Sequence, residues 1–220
     1  MSLLYRAGRR IGRFIFFCTM RAAVDNPQAP RRQGGFVLAV THLSHLEPFC
    51  SSTLSRRQID WVTRKEFFHP RPIAWLLRAI HAIRVDREGV PISTIRTAVH
   101  RLRQGRVVGI FPEGGVRTGA EAAIRGGSIR KGCCSIAIHA NAPVIPCVML
   151  GTHTLNALGP WLPFRRGRIW VAYGEPIFPP SGVKSTRMTR ERLAREIAGA
   201  FRQLYTRLCE RYQICDSSVP

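Results

Sequence analysis

The uninterrupted apolar run Phe36-Val37-Leu38-Ala39-Val40 constrains this chain more than any other stretch. Five consecutive apolar residues leave no polar face for water, so the run reads as a short strand buried on both sides. Pro48 lies a short turn later; its fixed φ and missing N–H suit the start of a helix, and it should hold Glu47 outside the α region. Thr41-His42-Leu43-Ser44-His45-Leu46-Glu47-Pro48 is therefore a strand exit, a turn and a helix entrance. On a continuous helix His42 and Glu47 would point about 140° apart. A strand-turn-helix instead lets the carboxylate fold back onto the imidazole, which is the arrangement of a general base and its orienting partner. On spacing alone, the usual reading of the same residues is as polar loop residues. A metal site from His42, His45 and Glu47 lacks further ligands at zinc-like spacing, and Ser44 lacks the G-x-S-x-G elbow of a nucleophile.

Strand and helix patterns alternate through the rest of the chain. The strand at 36–41 leads to a helix at 48–56 and a strand at 59–63. A helix at 66–79 follows, interrupted near its start by Pro70 and Pro72, with Phe67, Trp75 and Leu76 expected to face inward. Ile83 and Val85 lie on a strand; Ile92, Ile95, Val99 and Leu102 mark a helix over 92–104 that Gly105 ends. Val107 to Phe111 forms a strand running into Pro112-Glu113-Gly114-Gly115. Beyond a glycine-rich loop come a helix at 128–140 and strands at 144–150 and 169–173. The last helix, 187–213, places Leu193, Ile197, Phe201, Leu204 and Leu208 on one face. This alternation predicts an α/β fold whose largely parallel or mixed sheet is flanked by helices, with the site in the loops after the strands.

Residues 3–24 carry Leu3, Leu4, Ile11, Phe14, Ile15, Phe16, Phe17 and Met20 among five arginines. The apolar stretch is far short of the ~20 residues that span a bilayer. It reads as a basic amphipathic helix, either lying at a membrane interface or packed on the domain. Pro27, Pro30, Gly34 and Gly35 mark a linker, which divides the chain into 1–35 and a domain over 36–220. The formal net charge is +21, carried by 31 arginines and 3 lysines, which suits nucleic acid, an anionic membrane or an anionic substrate, or reflects a general bias toward arginine. Without a zinc finger, RRM signature or KH loop, nucleic acid is not expected as a partner. Seven cysteines, an odd number with Cys133 and Cys134 adjacent, and no signal-peptide pattern argue for a reducing, cytosolic setting.

Four blocks stand in order, each at the end of an expected strand: His42-x4-Glu47, Ile83-Arg84-Val85-Asp86-Arg87, Phe111-Pro112-Glu113-Gly114 and Pro143-Val144-Ile145-Pro146. Together they resemble the glycerolipid acyltransferases, specifically the lysophosphatidic acid (1-acylglycerol-3-phosphate) type. That family's order is N-H-x-S-x-x-D, an F-x-D-R-like block, F-P-E-G-T-R-S and V-P-x-x-P. Each block alone is weakly specific, whereas the ordered set, over roughly residues 36–175, is strong.

The resemblance implies transfer of a fatty acyl group from acyl-CoA or acyl-carrier protein to a lysophospholipid acceptor, with no metal and no bound organic cofactor. His42 would take the proton of the acceptor hydroxyl, and Glu47 would fix its tautomer. Lys65, Arg87 and Arg117 would hold the acceptor's phosphate, Glu113 and Gly114 would position its glycerol backbone, and Lys131 would match the family's lysine before the next helix. The protein would work on the cytoplasmic face of a membrane as a peripheral, monotopic enzyme. Three departures stand out: Thr41 and Glu47 occupy positions where the family usually has asparagine and aspartate, and Arg117 is displaced by one residue. Acylation of another lyso-lipid, such as a lyso-aminolipid, and a non-catalytic basic membrane- or RNA-binding protein are the rival readings.

Overall fold

The computed structural model describes residues 3–86, 91–156 and 167–214. Its strands are β1 (Met20–Asp25), β2 (Phe36–Val40), β3 (Ile59–Arg64), β4 (Ile83–Val85), β5 (Val107–Ile110), β6 (Val144–Leu150) and β7 (Gly167–Tyr173). They form one seven-stranded sheet in the order β1-β7-β6-β2-β5-β3-β4. Every pairing is parallel except β6 with β7, so the sheet is mixed. Its helices are α1 (Leu3–Thr19), α2 (Glu47–Leu54), α3 (Arg71–Ala79), α4 (Ile92–Arg103), α5 (Gly132–Ala140) and α6 (Arg187–Tyr212).

Strand β2 is central, and all five of its residues are buried, as its unbroken apolar run requires. Val37 and Ala39 face one core, which Leu102 of α4, Ile136 of α5 and Leu193, Ile197 and Phe201 of α6 complete. Phe36, Leu38 and Val40 face the other, shared with Phe16 of α1 and Cys50 of α2. Each large apolar side chain so buried contributes about 1.5–3 kcal/mol relative to exposure. Gly109 on β5 lies under Trp61: a Cβ there would come within 2.6 Å of the indole. The missing side chain lets the ring lie flat across the strand, a detail the site uses.

Three expectations need correction. Residues 20–25 form edge strand β1 rather than the end of a helix, paired in register with β7 from Met20–Gly167 to Asp25–Ala172. The helix placed over 66–79 is divided into a 3-10 turn, Lys65–Phe68, and α3 from Arg71, because Pro70 and Pro72 lack the N–H groups a continuous helix would need. Its burial is also reversed: Phe68 and Ala74 are inside, while Phe67, Trp75 and Leu76 are exposed, Trp75 at 62 %. Helix α5 starts at Gly132, not 128, because the Arg130 N–H is committed to the Pro112 carbonyl at 2.6 Å.

Helix α1 packs on the domain through one narrow face. Tyr5 and Phe16 are buried, and the Tyr5 hydroxyl accepts from the Ile59 N–H at 3.3 Å. Arg9 donates to the carbonyls of Ser55 and Arg56 at 3.3 and 2.7 Å. Ile11, Phe14, Ile15 and Cys18, which are spaced as one helical stripe, are exposed beside Arg6, Arg10 and Arg13. Among the described residues no helix is long and apolar enough to cross a membrane.

Candidate active site

Strands β2, β3, β5 and β6 run parallel, so their C-terminal ends open onto one edge of the sheet. His42 leaves β2 there, Arg64 and Lys65 leave β3, Phe111 to Arg117 leave β5, and Thr152 follows β6. The helix carrying Glu47 begins one residue earlier than Pro48 suggests, with Glu47 itself as its first residue. Contacts to its carboxylate from two sides override the local preference of a residue before proline.

His42 Nδ1 lies 3.0 Å from Glu47 Oε2, with the imidazole side chain 15 % exposed and the carboxylate fully buried. A carboxylate only accepts hydrogen bonds, so Nδ1 carries the proton and the lone pair of Nε2 is left for a substrate. The second oxygen of Glu47 accepts from the Thr152 hydroxyl at 2.5 Å. The imidazole stacks on Phe111 at 4.2 Å between centroids, and Phe111 stacks on Trp61 at 4.9 Å. The aromatic pair fixes one face of the ring and shields it from water, which the bare glycine at 109 makes possible.

Glu113 is 2 % exposed, and its carboxylate lies beneath the turn rather than in the open site. One oxygen accepts from the backbone N–H of Ala123 at 2.8 Å and the other from the backbone N–H of His42. Burial raises its pKa, and these two N–H groups oppose the rise. The Arg117 N–H donates to the His42 carbonyl at 2.9 Å. The β5 loop thus grips the backbone of His42 at both its N–H and its C=O.

The remaining cations are distributed unevenly. Lys65 pairs with Asp86 at 2.6 Å, bridging the exits of β3 and β4. The Arg117 guanidinium meets Glu121 at 2.6 Å on the surface, and Lys131 meets Glu191 of α6 at 2.6 Å, so Lys131 is turned toward the helix layer. Arg87 lies outside the described residues. Gly114 has φ +74°, a conformation glycine adopts without cost, and a Cβ there would collide with Arg130.

Sequence reasoning missed two contacts. Arg64 donates to the Gly114 carbonyl at 2.9 Å, bringing a second guanidinium to the loop, but nothing distinguishes it among 31 arginines in the sequence. Thr152 lies 105 residues from the carboxylate it serves, beyond any local pattern. Ser44 accepts from the Leu46 N–H at 3.1 Å, stabilising the turn. Burial pushes the Cys50 thiol up to about 12, with the Glu47 charge adding to the rise, which leaves it protonated and a poor nucleophile. Among the described residues no cluster of three His, Cys, Asp or Glu side chains could hold a metal ion.

The family model for acyltransferases matches residues 21–150. A 1-acyl-sn-glycerol-3-phosphate acyltransferase of Bacillus subtilis (strain 168) is 32 % identical over 155 residues, covering 70 % of this chain and 72 % of that protein. The crystal structure of the 1-acyl-sn-glycerophosphate (LPA) acyltransferase PlsC from Thermotoga maritima superposes with a TM-score of 0.68 at 19 % identity, over 92 % of this chain and 80 % of that one. The matched span takes in the His42–Glu47 turn, the β3 exit and the Glu113 loop, and the chain belongs to the acyltransferase family.

Proposed function

We propose that the protein transfers a fatty acyl group from an acyl thioester to the free hydroxyl of 1-acylglycerol-3-phosphate, giving phosphatidic acid. The observation that carries this reading is the His42–Glu47 pair, buried on the carboxylate side and open at Nε2. Nε2 takes the proton of the acceptor hydroxyl as its oxygen attacks the thioester carbonyl. The tetrahedral oxyanion then collapses, the C–S bond breaks, and the imidazolium returns the proton to the departing thiolate. Glu47 holds the imidazole in the required tautomer and favours the imidazolium, a contribution of about 10²–10⁴-fold for such a base. The donor is acyl-CoA or acyl-carrier protein, which enters as a substrate, so the residues need no resident cofactor.

Arg117, Lys65 and Arg64 stand around the same strand exits and form the phosphate-binding group in this reading. Glu113 acts on the reaction through the backbone of His42, holding the base's main chain in place. The acceptor named for the Bacillus subtilis relative supports the choice of substrate. A lipid acceptor requires access to a bilayer, and the exposed apolar stripe of α1, flanked by arginines, supports a peripheral seat on an anionic membrane. Exposed Ile73, Trp75 and Leu76 on α3 add a second apolar surface.

The test is acyl transfer with acyl-CoA and acyl-carrier protein donors against lyso-lipids with and without a phosphate, with products identified by mass. Phosphatidic acid formed from 1-acylglycerol-3-phosphate in preference to phosphate-free acceptors is expected. Preference for a lyso-aminolipid would overturn the substrate assignment, and release of free fatty acid without acceptor would replace the transferase by a thioesterase.

A further inference from the structure

We propose that Thr152 is a positioning residue of the catalytic base, the third member of a hydrogen-bonded line that runs Thr152–Glu47–His42. The proposal rests on the reading of His42 as the base. Thr152 and Glu47 are both fully buried, and the 2.5 Å contact from hydroxyl to Oε1 is the shortest in the site for which a donor hydrogen can be assigned to a side chain. The direction of the bond follows from chemistry, because a carboxylate cannot donate and a hydroxyl can. Glu47 thereby has one oxygen on each partner: Oε2 on the imidazole at 3.0 Å, Oε1 on the threonine.

The physical need comes from the rotational freedom of the carboxylate. The torsion that turns its carboxylate is broad, with no sharp staggered wells to hold the plane. A carboxylate bound at only one oxygen can swing and carry its acceptor away from Nδ1. A second donor on the opposite oxygen fixes the plane and sets the imidazole's orientation in turn. Thr152 opens the turn after β6, so the line ties the base to three separate elements: the exits of β2 and β6 and the first turn of α2. Valine in place of Thr152 has the same shape and no donor, and it leaves a buried carboxylate oxygen without its partner.

The experiment measures steady-state acyl transfer by Thr152→Val, Thr152→Ser, Glu47→Gln, the Glu47→Gln/Thr152→Val double variant and His42→Ala, with folding checked by circular dichroism. Thr152→Val is expected to lower kcat roughly 10- to 100-fold, the span that 1.5–3 kcal/mol for a hydrogen bond to a charged group gives at 1.36 kcal/mol per factor of ten. KM for both substrates should stay unchanged, Thr152→Ser should recover most of kcat, and the double variant should be no slower than Glu47→Gln alone. A folded Thr152→Val with normal kcat overturns the proposal, as does a full further loss in the double variant. Should the valine variant fail to fold, Thr152→Cys carries the test. Its weaker donor should place kcat below that of the serine variant, and equal rates for the two would refute a role for donor strength. Full activity in His42→Ala would instead remove the base assignment itself, a result separate from any outcome at Thr152.

Discussion

Replacing Glu113 by glutamine separates two roles for the same residue. The resemblance places Glu113 on the glycerol backbone of the acceptor, whereas the structure puts its two oxygens on the backbone N–H groups of His42 and Ala123. Glutamine keeps one acceptor oxygen and turns an NH₂ toward the second N–H, so two donors face each other in a buried site. Leaving one such group unsatisfied costs about 1–3 kcal/mol. Removing the buried charge offsets part of this, because burial already raises the Glu113 pKa above its ordinary value of 4.5. The folded protein therefore holds this proton more tightly than the unfolded chain does. Stability from the group is fully present below the ordinary value and is lost as pH rises through the raised one. Urea denaturation of wild type and Glu113→Gln across that interval is the assay. The account predicts a less stable variant at neutral pH, a difference that widens on acidification, lower kcat and an unchanged acceptor KM. Normal stability with a raised acceptor KM would refute the structural role and return Glu113 to the substrate.

Arg117→Ala removes an exposed ion pair of small worth, so stability should hold, while KM for the phosphate-bearing acceptor rises and KM for the donor does not. An equal effect on a phosphate-free acceptor would count against phosphate binding. Phe14→Ser with Phe17→Ser should reduce binding to anionic vesicles roughly 100-fold or more, since burying each ring contributes about 1.5–3 kcal/mol; both rings are more than 70 % exposed, so folding should be unaffected. Salt should weaken vesicle binding of the unaltered chain without abolishing it, because screening acts on the arginines and not on inserted rings.

How legible the molecule was in its sequence depended on how many sides of each element are covered. β2 and β6 are buried throughout, so their apolar runs identify them without reference to neighbours. Helix α6 shows its single buried face at regular spacing from Leu193 to Leu208. At the sheet's edges the signal fails. Met20–Asp25 has no alternation of its own and becomes a strand because β7 offers it a ladder. Helix α3 packs mainly on the short 3-10 turn Lys65–Phe68, too little surface to bury Trp75 and Leu76, so its larger apolar face is turned outward.

The site divides in the same way. His42 and Glu47 were legible because a five-residue spacing across a turn brings them together, and the 3.0 Å contact follows from that local geometry. Thr152 and Arg64 reach the site only through the order of the strands, which no short pattern encodes. Glu113 was visible as a residue but not in its contacts, because the groups it binds are backbone amides and carry no sequence signature.

The most direct measurement is the turnover of folded His42→Ala with acyl thioester and 1-acylglycerol-3-phosphate. The account predicts a fall in kcat of at least ~10²-fold with the fold intact, because the base acts in the transition state. A folded variant that transfers acyl groups at close to the normal rate would contradict it.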